Sequence, residues 1–163
     1  MKKCSAATFL HLLAILLWMG MIYLLSAQDG TQSESVSSGL TSILLRFLPL
    51  DLQTMAGQEN WQKLHAFIRT AAHFTEYAIL GVLLSSFLLR FSRYRAVLFS
   101  MVAGMIYAAT DEWHQAFVPG RACQFSDWMV DALGCLFGIL LVLFFVRVAI
   151  FFKKICTSRR KGT

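Results

Sequence analysis

Residues 129–152 read MVDALGCLFGILLVLFFVRVAIFF, and this stretch decides the fold class. Asp131 and Arg147 are its only charged residues. A helix needs about 20 residues to cross the hydrocarbon core of a bilayer. A helix apolar all round has no solvent-facing side, so it belongs inside a large core or a membrane. The stretch is closed by Lys153, Lys154, Arg159, Arg160 and Lys161, as flanking cations close a membrane helix.

Three further apolar blocks lie upstream. With this one they predict an all-α integral membrane bundle of about four transmembrane helices, at about residues 7–26, 71–89, 96–117 and 129–152, in a single domain over residues 1–163. Composition agrees. The chain has 163 residues, 57% hydrophobic and 15% charged, where a soluble domain carries about a quarter charged. The first block follows Lys2 and Lys3 and competes with a cleaved signal peptide. Its apolar run exceeds the usual h-region and Leu25 is bulky near the cleavage region, which favours an uncleaved anchor.

The net charge of +6 does not point to nucleic acid. Its cations gather at the ends of apolar blocks: Lys2 and Lys3, then Arg90, Arg93 and Arg95, then the C-terminal cluster. No helix-turn-helix, zinc-finger or RNA-binding pattern appears. Cations so placed mark cytoplasmic loops, which predicts both termini in the cytoplasm and segments 28–70 and 111–127 outside. Four crossings satisfy all three basic clusters; three crossings would not. Within the first outer segment Val36, Leu40, Ile43, Leu44 and Phe47 recur at helical spacing, predicting an extracytoplasmic amphipathic helix that Pro49 ends. Asn60 is the expected N-cap of the run leading into the second crossing. Cys4, Cys123, Cys135 and Cys156 form no CxxC pair and read as packing residues, with no intramolecular disulfide expected.

The third block has about 15 apolar residues, about 22 Å of helix, before Asp111. Continued to Phe117, where Pro119-Gly120 stops it, the helix carries Asp111, Glu112, His114 and Gln115 into the outer part of the membrane. His73, Glu76 and Tyr77 sit at the same level at i, i+3 and i+4 of the second helix, and Asp127 and Asp131 open the fourth. The Asp131 face continues through Cys135 to Gly138. Gly134-xxx-Gly138 predicts close helix approach, and Gly104 and Tyr107 lie below Asp111. These residues, with Arg121, form the candidate site. Ionisable groups at membrane depth are costly and usually serve a function. The competing reading is structural: His73 with an acid, and Arg121 with Asp127, as neutralised pairs that orient helices. His11 and His65 fall outside the set and read as incidental. Trp18, Trp61, Trp113 and Trp128 read as interface anchors or packing.

These residues resemble the VanZ-like membrane protein family. The resemblance is carried by Ala72-His73-Phe74-x-Glu76-Tyr77-x-x-Leu80-Gly81, by Tyr107-x-x-x-Asp111-Glu112-x-His114-Gln115-x-Phe117-Val118-Pro119-Gly120-Arg121, and by Ser126-Asp127-x-x-x-Asp131-x-x-Gly134-x-x-x-Gly138. A weaker part is Trp18 with Leu25-Ser26-Ala27-Gln28, so the likeness spans residues 18–138. It implies a bacterial cytoplasmic (inner) membrane protein. The family's namesake is an accessory protein of glycopeptide resistance associated with teicoplanin, a lipid-tailed antibiotic acting outside the membrane. Many relatives carry Lys close to the histidine; here Arg69 stands one turn before His73 and is left out of the site.

Three functions remain in contention. The first is a cell-envelope protein that binds or modifies a lipid-linked or glycopeptide-related molecule at an outward-facing polar site. Arg121 would grip its phosphate or carboxylate there. The second is a membrane-embedded enzyme, since carboxylates with histidine suit a divalent metal or acid–base chemistry. The third is a small transporter with aligned acids relaying protons. No HExxH or GxSxG motif appears, so no reaction class, metal or cofactor is assigned. The expected partners are the lipid bilayer and a lipid-linked envelope ligand, and the sequence is compatible with a homo-oligomer.

Overall fold

The computed structural model describes residues 6–28, 55–121 and 123–161, apart from the side chains of 55–58, 61, 65 and 158–161. The expected amphipathic helix over 36–47 lies outside the described residues, as do Cys4 and the side chains of Trp61 and His65. The described residues form four helices and no strand: α1 (Ala6–Ser26), α2 (Met55–Leu88), α3 (Arg93–Gln115) and α4 (Phe125–Lys161).

Three of them contain segments long and apolar enough to cross a membrane: Ala6–Ser26, Gln62–Leu88 and Phe125–Thr157. The remaining helix, α3, has 23 residues, about 34 Å at 1.5 Å per residue. It is more polar because Arg93 and Arg95 open it and Asp111 and Glu112 come near its end. Helix α2 starts at Met55 and runs unbroken into the second apolar block, so Asn60 lies inside the helix and does not cap it. Gly57, the nearest poor helix former, costs only about 1 kcal/mol, too little to break a helix of this length.

The burial pattern is that of a protein in lipid. Phe9, Leu16, Leu17, Leu24, Phe144 and Phe152 are exposed, while Ser26, His73, Ser85, Ser100, Asp111, Glu112, Gln115 and Asp131 are buried. In water this arrangement would be unfavourable twice over, through exposed apolar area and through desolvated polar groups. In a bilayer the exposed apolar belt faces the acyl chains.

Helix directions follow from the contacts. Arg90, just after α2, donates to His11 Nδ1 at 2.9 Å and Thr8 Oγ1 at 3.3 Å, so the end of α2 lies beside the start of α1. Ser26, ending α1, meets Asp111 near the end of α3. Helices α1 and α3 thus run one way and α2 and α4 the other, with the basic turn after α2 at one end and the acidic residues towards the opposite end. Helix α4 packs on α2 and α3, and α1 lies on the α2–α3 side.

The α2–α4 seam is closed by glycine. A Cβ at Gly134 would run into the Phe74 carbonyl, one at Gly138 into the Ala78 carbonyl, and one at Gly81 into the Cys135 carbonyl. The expected close approach at Gly134-xxx-Gly138 is therefore present, with Gly81 answering from α2. Ile22, Tyr77, Leu80, Ala108, Cys135 and Ile139 form the core beneath. Two tryptophans tie backbones together: Trp18 Nε1 donates to the Glu76 carbonyl (2.9 Å) and Trp128 Nε1 to the Met105 carbonyl (3.2 Å).

Candidate functional site

The α3 C-terminus sets the geometry. The helix ends at Gln115, two residues short of the expected Phe117, because its last turn tightens. Phe117 N–H donates to the His114 carbonyl and Val118 N–H to the Gln115 carbonyl, both i→i+3 bonds. A second turn follows, closed by Arg121 N–H donating to the Val118 carbonyl at 3.1 Å. Pro119 presets φ at its second position, and Gly120 adopts φ 76° at its third. That is the type II pattern, which requires a residue tolerant of positive φ. The turn folds the chain back over the bundle end and delivers Arg121 to a cavity of about 210 Å³. Its walls are Arg69, His73, Gln115, Gly120, Arg121, Gln124 and Asp127.

Beside this cavity three helices converge. His73 of α2 (9% exposed), Asp111 of α3 (4%) and Asp131 of α4 (0%) each offer a donor atom, and these atoms lie within 4.8 Å of one another. His73 Nδ1 stands 3.5 Å from Asp131 Oδ1, a charge contact too long for a good hydrogen bond. Asp111 Oδ2 accepts from Ser26 Oγ (2.8 Å) and Gln115 Nε2 (3.1 Å), and Gln115 also reaches Ser26 Oγ (3.3 Å). Those two neighbours fix the orientation of its carboxylate.

The other expected residues divide. Tyr77 is buried with its ring 6.2 Å from that of Tyr107, whose hydroxyl donates to the Met19 carbonyl. Glu76 is half-buried one turn from His73. Glu112 Oε2 accepts from the Gln124 backbone N–H at 2.9 Å, which pins the loop between α3 and α4. His114 is not among the converging residues; its ring packs against that of Tyr23 of α1, centroids 4.6 Å apart and planes tilted by 31°. Asp127 lines the cavity above Asp131.

The expected structural pair of Arg121 with Asp127 is not formed. Arg121 Nε donates to the Gln28 carbonyl at 3.1 Å, and Asp127 instead faces Arg69 Nη2 at 3.9 Å. The physical reason is the turn at Pro119-Gly120, which carries Arg121 towards the end of α1. Arg69, one helical turn before His73, reaches Asp127 across the α2–α4 seam. Burial lowers the Arg121 pKa from its ordinary value, and the nearby positive charge of Arg69 lowers it further. The nearby carboxylates of Asp111, Glu76 and Glu112 act the other way, and a guanidinium stays charged, so two guanidinium groups and the Asp127 carboxylate face one cavity.

Sequence reasoning missed Ser26, Gln124 and Arg69. Arg69 had a readable signal, its i, i+4 spacing to His73. Ser26 stood only in the weaker part of the family resemblance, and its 85-residue separation from Asp111 gave no sign of their contact. His11, read as incidental, is also structural. Arginine can only donate, so His11 Nδ1 accepts from Arg90 and the proton sits on Nε2, which donates to the Leu83 carbonyl at 3.1 Å.

No curated protein and no solved structure matches this chain. A protein-family model, VanZ/LLP1, matches residues 10–147, which include all four helices in whole or part and every residue of the cavity and cluster. With an all-helical membrane bundle and a buried His–Asp–Asp convergence now described, that match identifies the chain as a member of the VanZ/LLP1 family.

Proposed function

We propose that this VanZ-like protein receives the anionic head group of a lipid-linked cell-envelope molecule in the Arg69–Arg121 cavity and thereby alters susceptibility to teicoplanin-type glycopeptides. The observation that carries the reading is the pair of guanidinium groups lining one cavity. Asp127 balances the charge of Arg69 at 3.9 Å, and an anion on Arg121 would balance the second guanidinium. Among the described residues Arg121 uses only Nε on protein, which leaves its Nη groups for a phosphate or carboxylate. Guanidinium pairs such groups through two parallel bonds. The apolar belt beside the cavity suits a ligand whose tail stays in the bilayer.

The same reading has α3 as a fourth crossing, its length matching the core thickness of about 30 Å and its acids turned inward. Both termini are then cytoplasmic in a bacterial inner membrane, and the cavity opens outward, where glycopeptides act. The test is teicoplanin susceptibility in bacteria expressing the protein at matched membrane levels. Arg121→Lys keeps the charge but loses the planar fork. Losing one charge-assisted bond costs about 1.5 kcal/mol, about a tenfold weaker effect. A normally expressed lysine variant with full effect would show that Arg121 does not grip the ligand.

A further inference from the structure

We infer that His73, Asp111 and Asp131 form a binding site for one divalent transition-metal cation, of the Zn²⁺ class, beside the cavity. Convergence of acids alone would not carry this. The second observation is Asp131 itself: it is 0% exposed, yet both carboxylate oxygens lack a hydrogen-bond partner among the described residues, as does His73 Nδ1 facing it. Buried polar atoms in native proteins almost always have partners. Here the Asp131 carboxylate and His73 Nδ1 face each other across two helices at 3.5 Å, and a cation between them gives each a ligand bond.

The donor set selects the ion. One imidazole with two carboxylates suits zinc or its first-row neighbours better than magnesium, which favours all-oxygen shells rich in water. Zinc bonds of about 2.0–2.2 Å put tetrahedral donors about 3.4 Å apart, close to the 3.5 Å between His73 Nδ1 and Asp131 Oδ1. The Asp111 donor lies within 4.8 Å of the other two and would draw in towards the ion. Its Oδ2 is already held by Ser26 and Gln115, leaving Oδ1 for the ion. Such outer hydrogen bonds orient ligands at metal sites. Charge also balances: two carboxylates and a neutral imidazole neutralise a dication, and no net charge remains at a depth where it is costly. Of the three residues His73 alone also lines the cavity, so the site is buried beside it. Three protein ligands leave the fourth position of a tetrahedral zinc to a water molecule or another donor.

The test uses the full chain in detergent or nanodiscs, with Cys4, Cys123 and Cys156 changed to serine so that surface thiols bind nothing. After chelator stripping, Zn²⁺ alone is added, loosely held metal is dialysed away, and metal content is measured by mass spectrometry. We expect about one retained ion per chain, and d–d absorption bands when Co²⁺ replaces it. Asp131→Asn and His73→Ala should each lose the ion while keeping helix content and a monodisperse profile. Ser26→Ala, acting only through Asp111, should bind about 10–100-fold more weakly. Zn²⁺ should raise the melting temperature of the parent and not of Asp131→Asn. If Asp131→Asn fails to fold, the parent's ion content, its Co²⁺ spectrum and His73→Ala decide. No retained ion in the parent, or an ion retained by both variants, overturns the site. Metal content is read without any envelope ligand, so a zinc-loaded protein with no effect on glycopeptides would refute the ligand reading and leave this one standing.

Discussion

At the scale of residues, the site divides into a cationic rim and an acidic interior, and the two respond differently to substitution. His73, Asp111 and Asp131 share one buried volume, so removing any one changes the surroundings of the other two. His73→Ala and Asp131→Asn should each abolish activity, and the double variant should do little more harm. The expected coupling is about 1–3 kcal/mol, the usual size for groups in one network. Activity and stability of the four forms of this cycle would measure it, and independent, additive losses would show two separate sites. Glu112 belongs elsewhere. It holds the Gln124 N–H and so works through the α3–α4 loop, upstream of the position of Asp127.

At the scale of elements, two glycine positions matter most. Gly138 lets α4 lie directly on the α2 backbone at Ala78, where a side chain has no room because the obstacle is main chain. Gly138→Ala should destabilise the protein by about 1–3 kcal/mol, as overpacking does. Denaturant unfolding in micelles would report the loss, and an unchanged midpoint would mean the seam is looser than described. Gly120 acts through conformation instead. At φ 76° an alanine is strained by about 1–2 kcal/mol, and the turn relaxes away from its type II form. Gly120→Ala should therefore copy the functional loss of an Arg121 variant while leaving unfolding of the helical bundle nearly unchanged. Glycopeptide susceptibility and thermal unfolding, measured together, separate the two effects.

At the scale of the whole molecule, the basic turn at Arg90 and the acidic cluster sit towards opposite ends of the bundle, and the proposed topology puts the basic end in the cytoplasm. Cys123 is exposed in the loop carrying Arg121, Cys156 is exposed near the end of α4, and Cys135 is buried between them. An impermeant maleimide added to intact cells should label Cys123, spare Cys156 until the membrane is opened, and never reach Cys135. A reporter fused after Arg160 that is active outside would reverse the topology and place the cavity in the cytoplasm.

The helices of the bundle were legible in the chain because a bilayer demands long apolar runs, and because cations at their ends and acids at i, i+4 spacing are local patterns. Residues 129–152 are long and apolar enough to cross a bilayer, and His73, Asp111 and Asp131 announce themselves by being ionisable where charge is costly. Boundaries were less legible: Asn60 looked like a cap, yet α2 continues through it, because no nearby residue is a strong enough breaker to stop a long helix. Partners were least legible of all. Whether Arg121 meets Asp127 or Gln28, whether Asp111 is braced by Ser26, and whether His114 joins His73 or packs against Tyr23 depend on more than spacing. Those are fixed by how α1 and α3 pack and by the turn that Gly120 allows. Spacing along a chain tells which side chains share a helix face; only packing between helices tells what that face meets.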